Sequence, residues 1–389
     1  MINLPAHFSP MRVALVYNQK KEEATQQVLT DDAGEPPSSQ GKVPLHSFHL
    51  QKNLTEQKTN KLSDMYAEWD TFETIDAVRA ALAEFHHVTL IEADENAYGK
   101  LQSHRPDIVF NIAEGFNGVS REAQIPAMLE MLNIPYTGSD PLTLAVCLDK
   151  SRAKEILSYH RIPTPNFAVI NDIRDLRNIS VVFPLIVKPL HEGSSKGIYN
   201  SSLARDNKEL EREVDDILER YHEPVLVEEY LDGREFTVAV LGNGRDLTVL
   251  PIVEIKFDTL PQGVNPIYSY EAKWIWDRSD APLDIFACPA NISLELRNEI
   301  ESICKKAFDV LRCRDWCRID VRSDSKGRPH IIELNPLPGI LPNPQDNSCF
   351  PKAARAGGFP YNKLIQSVLF LAAQRCGLIV SSPTNYIKN

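Results

Sequence analysis

The first part of the chain alternates short apolar runs with segments of helical spacing. The run MRVALVY at 11–17 is continuous and rich in β-formers, which is typical of a strand covered on both faces of a parallel sheet. From Asp70 the apolar positions follow helical spacing, and the runs HVTLIEA and PDIVFNIA predict two further strands. This order of strand, helix and strand predicts a parallel α/β domain over residues 1–140.

A polar segment interrupts this domain at about residues 18–69. It contains DDAGEPPSSQGK and NLTEQKTNK, and its apolar residues show no sustained period. We interpret it as an insertion or loop. The sequence leaves open whether it is a segment without function or a lid or partner-binding element.

The second and third units differ from the first in their balance of strands and helices. Pro141 marks a boundary, and a unit over 141–242 contains a helix, the strand FPLIVKPL, a charged helix at 206–220 and the strands PVLVEEYL and REFTVAVLG, which we expect to pair. The last unit, 243–389, contains LTVLPIVEI, a helix at 291–311, the strands RIDVRS and RPHIIELN, and C-terminal helices. The predicted fold class is therefore α/β with three domains.

Composition and charge limit the classes of function that this chain can have. Hydrophobic residues make up 43% of the 389 positions and charged residues 24%, which argues against global disorder. The formal charge of −11 disfavours nucleic acid as a partner. Because no apolar run is long enough for a membrane span and the N-terminus lacks a signal-peptide pattern, we predict a cytoplasmic protein.

The seven cysteines are dispersed and form no CxxC pair, so neither a disulfide framework nor a zinc ribbon is indicated. Cys313 and Cys317 are four residues apart. This spacing is compatible with a metal site, but also with buried thiols that pack as small apolar groups.

A small-residue turn follows the strand LIVKPL. Lys188 ends that strand, and the turn EGSSKG contains Ser194, Ser195 and Gly197, whose backbone N–H groups could surround phosphate oxygens while the lysine supplies a point charge. The segment is not a GxxxxGK[ST] P-loop, and we expect it to lead into a strand. A structural β-turn beside a surface lysine is an equally good interpretation of this segment alone.

The segment VLVEEYLDGREF contains two carboxylates on either side of an Asp-Gly turn. Glu228 and Glu235 could accept hydrogen bonds from the amine and ribose hydroxyls of a nucleoside, while the backbone near Tyr230 and Leu231 reads the base edge. Solvated surface carboxylates are the alternative.

The strongest candidate site lies in WCRIDVRSDSKGRPHIIELNPLPG. Arg318 and Asp320 alternate on one predicted strand, and Glu333 and Asn335 alternate on the next, so each pair shares a face. A turn at Asp324–Arg328 would bring the oxygen ligands together as a magnesium site. Two carboxylates about 4 Å apart repel by roughly 4 kcal/mol at an effective dielectric constant near 20, which favours a bound cation. The alternative is a polar hairpin face.

The order of LDKSRAK, VKPLHEGSSKG, VEEYLDGREFTVAVLG, YSYEAKW and CRIDVRSDSKGRPHIIELNPLPG resembles the ATP-grasp superfamily, and most closely its D-alanine:D-alanine ligase family. The resemblance runs from about Pro106 to Gly358. It implies that ATP lies between the central and C-terminal domains and that a carboxylate is activated as an acyl phosphate and then attacked by an amine. It also implies Mg²⁺ as cofactor, with Mn²⁺ as a substitute, and a homodimer.

The resemblance assigns roles to residues that match its motifs. Nucleotide-binding roles fall on Lys150, Lys188, Glu192, Ser194, Ser195, Gly197, Glu228, Tyr230, Leu231, Glu235 and Lys273, with Glu235 on the ribose. Metal-binding roles fall on Asp320, Glu333 and Asn335. Catalytic roles fall on Arg318, Lys273 and Ser194. Lys273 lies with Tyr268 and Tyr270 in YSYEAKW, which resembles the loop that closes over the phosphates, and substrate-binding roles fall on Tyr268 and Gly339.

The substrate-binding segments depart from the family pattern. In FNIAEGFNGVSREAQIPAMLE, Glu114 and Arg121 stand near the expected first-substrate site, although Arg121 is equally compatible with a surface position at a helix start. After Gly339, where the family places Thr and Ser to hold the second amino acid's carboxylate, this chain has ILPNPQDNSCF, with Pro344 at the serine position.

We therefore expect D-alanine to be a poor second substrate. Larger amines would recover affinity through apolar contacts with Ile340, Leu341 and Phe350. The leading hypothesis is an ATP-dependent ligase of carboxylate and amine small molecules. The alternatives are a ligase for other amino acids or natural products, and a nucleotide-binding protein without catalysis.

Overall fold

The computed structural model describes residues 9–20, 68–179, 182–277 and 283–379. Most of the predicted 18–69 insertion lies outside the described residues, so the hypothesis of a lid or partner-binding element is not addressed. Its two ends are described, and they meet through a parallel bridge between Gln19 and Asp70.

The N-terminal unit is built on a three-stranded parallel sheet, as the sequence predicted. Strand β1 (Arg12–Tyr17) lies in the centre, between β2 (His87–Glu92) and β3 (Ile108–Asn111). The helices of this part of the chain are α1 (Phe72–Ala83), α2 (Ala97–His104), α3 (Gln124–Leu132) and α4 (Pro141–Leu148). Buried apolar residues on both sides of β1 form separate core clusters.

The next unit is a four-stranded antiparallel sheet in the order β4-β7-β5-β6. Its elements are α5 (Lys150–Tyr159), β4 (Phe167–Ile170), β5 (Leu185–Pro189), β6 (Leu203–Ala204), α6 (Asn207–Tyr221) and β7 (Val225–Glu229). The turn after β5 leads through a short 3₁₀ segment into β6, as expected. Helix α6 is the predicted charged helix, and its apolar face packs on the sheet.

The third sheet has six strands: β8 (Glu235–Asn243), β9 (Asp246–Val249), β10 (Val253–Ile255), β11 (Phe286–Ala287), β12 (Asp315–Ser323) and β13 (Pro329–Asn335). Their order is β11-β10-β8-β12-β13, and β9 pairs with β8. The helices are α7 (Leu294–Val310), α8 (Cys349–Ala356) and α9 (Tyr361–Arg375).

The expected pairing of the strands now called β7 and β8 is wrong. Strand β8 pairs with β12, β10 and β9, whereas β7 pairs with β4 and β5. The Asp-Gly segment between them is therefore a crossing from one sheet to the next rather than a hairpin turn. The division into domains at 140 and 242 stays a prediction.

The N-terminal unit and the six-stranded sheet share one core. The same apolar cluster contains Leu15 and Ile75 from the first unit, Trp316 of β12, and Leu369 of α9. No helix in the described ranges is long and apolar enough to cross a membrane.

Candidate active site

A cavity of about 270 Å³ lies between the four-stranded and six-stranded sheets. Its walls include residues of β5 and β7 from the four-stranded sheet, residues of β8, β12 and β13 from the six-stranded sheet, and the segment 68–71. It is therefore the place where side chains from distant parts of the sequence can act on one ligand.

Strand β12 supplies charged side chains to this cavity at every second position. Arg318, Asp320 and Arg322 line the cavity, whereas Ile319 and Val321 point into the core behind the sheet. This is the period-two alternation predicted from the sequence.

The predicted metal ligands lie together. Asp320 is opposite Glu333 in the β12–β13 register, with a register shift directly after this pair. The amide of Asn335 lies 3.5 Å from Asp320 Oδ2 and 3.3 Å from Glu333 Oε1. Arg318 joins the cluster, because its guanidinium is 2.9 Å from Asp320 and 3.6 Å from Glu333.

Burial and neighbouring charge act differently on the two carboxyl groups. Burial raises the pKa of Asp320, with a further increase from Glu333, while Arg318 acts in the opposite direction. For Glu333 burial is outweighed, and the charges of Lys150, Lys188 and Arg318 lower its pKa to about 2. One carboxylate is thus held firmly ionised in the cluster.

The donor set fits a hard cation such as Mg²⁺. It consists of two carboxylates and one amide, and Asn335 would present its Oδ1 rather than its Nδ2 to a cation. Within the described ranges no group of three or more His, Cys, Asp or Glu side chains is arranged to hold a metal. Cys313 and Cys317 lie in the apolar core, in the same cluster as Cys147.

Lys188 and Glu228 both line the cavity, but they also bind each other. Glu228 is only 2% exposed and forms a second ion pair, with Lys154 at 2.8 Å. Although burial opposes it, the charges of Lys154 and Lys188 lower the pKa of Glu228. A lysine pair around one buried carboxylate thus forms this wall, and sequence reasoning missed Lys154.

Three of the predicted nucleotide-binding residues, Lys150, Glu192 and Gly197, do not line the described part of the cavity. The ammonium group of Lys150 donates to the carbonyl oxygens of Leu190 and Glu192, at 3.4 and 2.5 Å. The carboxylate of Glu192 binds Lys196 at 2.6 Å. In this conformation both residues hold the backbone at the start of the turn.

The turn itself borders the cavity through its two serines. Ser194 and Ser195 line the cavity and both have positive φ, at 51° and 61°. The Ser195 hydroxyl donates to the Tyr268 carbonyl oxygen at 2.9 Å, and the Ser194 carbonyl oxygen accepts from Trp274 Nε1 at 3.0 Å. Gly197, with a φ of 71°, packs against Pro189 outside the wall.

Tyr230, Leu231 and Glu235, which were predicted to contact a base and ribose, also line the cavity. Arg322 was not predicted for this site. It donates to Glu235 Oε2 at 2.6 Å and to the Tyr230 hydroxyl at 2.7 Å. The alternation of β12 places Arg322 on the same face as Arg318 and Asp320, so the sequence did indicate that Arg322 faces the site. Its partner Glu235 could not be inferred, because β8 was expected to pair with β7 rather than with β12.

Lys273 and Tyr268 line the cavity near the metal-site cluster. Burial lowers the pKa of Lys273 to about 8, with a further decrease from Arg318. Lys273 belongs to a π-helical segment, Glu271–Trp276. Tyr270 is not among the described lining residues, and its backbone N–H donates to Ile198.

The two expected first-substrate residues, Glu114 and Arg121, are outside the described cavity wall. The Arg121 guanidinium binds Glu68 at 2.8 Å and Glu192 at 3.3 Å, so it is an ion-paired residue rather than a free carboxylate receptor. Burial raises the pKa of Glu114 well above its ordinary value, with further increases from neighbouring carboxylates including Glu68.

The ends of the predicted insertion contribute a wall that the sequence did not indicate. Lys20, Glu68, Trp69, Asp70 and Thr71 all line the cavity. Glu68 also accepts a hydrogen bond from the Gly193 backbone at 2.7 Å, which ties this segment to the serine turn. Burial raises the pKa of Asp70 to about 7.

The segment after Gly339 differs in detail from its prediction. Gly339, Ile340 and Leu341 line the cavity, but Phe350 is fully buried and packs on Trp316 instead, so its expected substrate contact is wrong. Ser348 also lines the cavity and supplies one hydroxyl that the sequence interpretation overlooked. That hydroxyl accepts from Leu341 N at 3.2 Å and lies 3.4 Å from Gly339 O.

Comparison with solved structures defines the fold class. A D-alanine–D-alanine ligase of Bacillus anthracis, solved with ATP, superposes with a TM-score of 0.63 at 19% identity, covering 95% of this chain and 99% of that one. The VanG D-Ala:D-Ser ligase of Enterococcus faecalis gives a TM-score of 0.63 at 19% identity, covering 94% and 100%. The protein has the three-domain ATP-grasp fold.

Sequence comparison defines the family. The family model described as D-ala D-ala ligase C-terminus matches residues 157–370. A D-alanine–D-alanine ligase of Mannheimia succiniciproducens is 34% identical over 305 residues, 77% of this chain and 91% of that protein. The uncharacterised protein y4sG of Sinorhizobium fredii is 36% identical over 320 residues, 79% of this chain and 89% of that protein.

The chain belongs to the D-alanine–D-alanine ligase family. It is an ATP-dependent ligase that forms C–N bonds, which confirms the class of enzyme and the use of ATP predicted from the sequence.

Proposed function

We propose that this ligase joins the carboxyl group of an amino acid to an amine through an acyl phosphate, in the cavity between the four-stranded and six-stranded sheets. The observation that carries the proposal is the convergence of Arg318, Asp320, Glu333 and Lys273 on one cavity wall. Preorganised charges of this kind stabilise phosphoryl transfer and the tetrahedral intermediate of acyl transfer.

Asp320, Glu333 and Asn335 are the residues that would hold Mg²⁺, or Mn²⁺ in its place. When bound, the cation neutralises charge on the nucleotide phosphates. Arg318 lies within reach of both carboxylates. In this proposal its guanidinium holds an oxyanion on the reacting carbonyl carbon, beside the metal site.

The remaining walls bind the nucleotide in this proposal. Lys188 and Lys273 contact phosphate oxygens, and the backbone around Ser194 and Ser195 covers them. Lys150, which now donates to the backbone, would reach the phosphates only after a movement of its ammonium group. The base lies against Tyr230 and Leu231, and the ribose lies against Glu235.

The two substrates are amino-acid-like in this proposal, and two candidates differ in the amine. Relatives named D-alanine–D-alanine ligase favour D-alanine on both sides. The prolines of the segment after Gly339, and its single cavity hydroxyl on Ser348, favour an amine other than D-alanine. A homodimer and a cytoplasmic location stay predictions.

Phosphate release with Mg²⁺-ATP and pools of D- and L-amino acids tests the activity, and mass spectrometry identifies the product. The variants Asp320→Asn and Glu333→Gln are expected to lose nearly all turnover without a large change in melting temperature. Asp324→Asn is the matched control, because its carboxylate lies on the same hairpin and binds Arg328 outside the cavity.

Near-normal turnover in either site variant would remove that residue from the metal site. Unfolding of both variants would instead support a structural role for the hairpin carboxylates.

A further inference from the structure

Arg322 occupies the cavity at the end remote from Arg318 on the same strand face. The strand register places Arg322 directly opposite Glu235 of β8, and Asp320 opposite Thr237. Because alternate residues along a strand are about 6.5 to 7 Å apart, Arg322 stands one step from the metal-site carboxylate in the direction of Tyr230. This is the span between the phosphates and the ribose in the proposed orientation of ATP.

The guanidinium of Arg322 is fixed by three hydrogen bonds and two rings. It donates to Glu235 Oε2 at 2.6 Å, to the Tyr230 hydroxyl at 2.7 Å and to the Pro266 carbonyl oxygen at 2.8 Å. It also lies 4.6 Å from the centre of the Tyr230 ring and 5.1 Å from that of Phe257. The side chain is 7% exposed, so this cation is held in one place before any ligand arrives.

The contacts of Glu235 are asymmetric. One carboxylate oxygen accepts from Arg322, and within the described ranges Oε1 makes no hydrogen bond. Burial raises the pKa of Glu235, whereas the Arg322 charge acts in the opposite direction and favours the carboxylate form. A carboxylate that is anchored through one oxygen can present the other as a charged acceptor for hydroxyl groups.

We infer that Arg322 is a positioning residue that anchors Glu235 as the acceptor for ribose hydroxyls, and that this ion pair makes the enzyme selective for ribonucleotides. The inference rests on the proposed placement of the ribose at Glu235. An apolar side chain at position 322 could pack under a base, but it could neither orient the carboxylate nor offset its burial.

The test is the affinity of the full-length protein for Mg²⁺-AMPPNP and for its 2′,3′-dideoxy analogue, measured by calorimetry. Wild type is expected to prefer the ribonucleotide by about ten- to a hundredfold, the range of one hydrogen bond to a charged group. Arg322→Met keeps an unbranched stem and is expected to lower this preference about tenfold. Glu235→Gln is expected to lower it similarly, and the double variant should show little further loss.

Arg234→Met is the matched control. Arg234 also forms an ion pair with a glutamate and lies over an aromatic ring, but it does not line the cavity. The ratio of the two affinities should stay at the wild-type value in this variant. Arg322→Lys, which keeps the charge and loses the planar fork, is expected to be intermediate, and it provides the readout if the methionine variant does not fold.

The outcomes separate the two levels of the proposal. If Glu235→Gln loses the preference and both Arg322 variants keep it, the role of Arg322 is wrong while the ribose site stands. If Glu235→Gln keeps the preference, or wild type shows none, the ribose site itself is wrong and the inference fails with it. Tighter ribonucleotide binding by Arg322→Met would show that the ion pair blocks the ribose.

Discussion

Lys273 couples the proposed site to pH. Its side chain is buried in the cavity wall, and burial together with Arg318 lowers its pKa to about 8. A lysine is charged below its pKa and neutral above it, so its attraction for phosphate oxygens is lost as the pH rises. We predict that kcat/KM for ATP falls through about pH 8 and is roughly tenfold lower one pH unit above the pKa.

The variant Lys273→Arg checks this assignment, because a guanidinium stays charged throughout this range. Its pH profile should be flat on the alkaline side, whatever its absolute rate. If the variant keeps the wild-type alkaline decline, a different group titrates and Lys273 is not responsible.

Because two lysines share Glu228, we predict that removing the glutamate lowers the free energy of unfolding more than removing one lysine does. Removing the carboxylate in Glu228→Gln leaves Lys154 and Lys188 as two buried like charges, and breaking a buried pair typically costs about 3–5 kcal/mol. In Lys188→Met the carboxylate keeps Lys154 at 2.8 Å, so the loss should be smaller. Denaturant unfolding measures both free energies.

The same variants separate stability from ligand binding. Lys188→Met should weaken binding of Mg²⁺-AMPPNP, since a charge-assisted phosphate contact is lost. Unchanged affinity would move the phosphate contact elsewhere, and a larger destabilisation in Lys188→Met than in Glu228→Gln would contradict the shared-carboxylate geometry.

At the scale of elements, the serine turn depends on one crowded glycine. Gly197 has a φ of 71°, and a Cβ atom there would overlap Pro189 at the end of β5. Gly197→Ala should therefore displace the turn and weaken nucleotide binding as well as stability. Gly263→Ala is the control, because Gly263 has a φ of 83° but no heavy atom within 4 Å of the added Cβ.

Both substitutions carry the left-handed backbone cost, about 1–2 kcal/mol for a residue with a Cβ. The difference between their unfolding free energies reports the overlap with Pro189. Equal losses in the two variants, with nucleotide affinity retained, would mean that the turn tolerates the added atom and does not need its present position.

The parts of the site that could be predicted consist of residues close together in the sequence, whereas the parts that could not be predicted join residues far apart in the sequence. Arg318, Asp320 and Glu333 were found because two adjacent strands and a short turn bring them together within the period-two pattern. The pair of Arg322 and Glu235 spans 87 positions and depends on β8 joining β12, which local pattern does not encode.

The same reason explains the misplaced residues. Arg121 was expected near the first substrate because it lies in the segment that matches the family's first-substrate turn. It pairs instead with Glu68, at the end of the 18–69 insertion, whose sequence shows no apolar period. Strands β1 and β3 of the first sheet were predictable, because buried apolar runs are typical of covered strands. The parallel order followed from the helices that the sequence places between the strands.

At the scale of the whole molecule, the four-stranded and six-stranded sheets frame one cavity, while the six-stranded sheet shares a core with the N-terminal unit. Asp315 at the start of β12 illustrates the connection: it accepts from Gly138 N at 2.8 Å and from Arg375 of α9 at 2.8 Å. Ile340, Leu341 and Ser348 line the cavity together with the segment 68–71, and we propose that the amine substrate binds among them.

This arrangement underlies the prediction that D-alanine is a poor second substrate. Ser348 provides one hydroxyl, and its O–H already donates to the Gly339 carbonyl oxygen at 3.4 Å, so a small zwitterion finds few charge-assisted contacts for its carboxylate. Losing one or two such bonds at roughly 1.5–3 kcal/mol each lowers use of D-alanine about tenfold to several hundredfold or more. A larger amine gains apolar contact with Ile340, Leu341 and Trp69, which line the same cavity.

Steady-state kinetics with D-alanine alone, compared with a panel of amino acids and dipeptides as acceptors, measures this preference. Ser348→Ala tests the role of the hydroxyl in this preference. The variant should have little effect on the use of a larger apolar amine, because burial of apolar surface rather than the hydroxyl then provides the affinity. Efficient D-alanyl-D-alanine formation at submillimolar D-alanine, abolished by Ser348→Ala, would contradict the prediction. It would show instead that a single serine hydroxyl suffices to hold the acceptor carboxylate in this cavity.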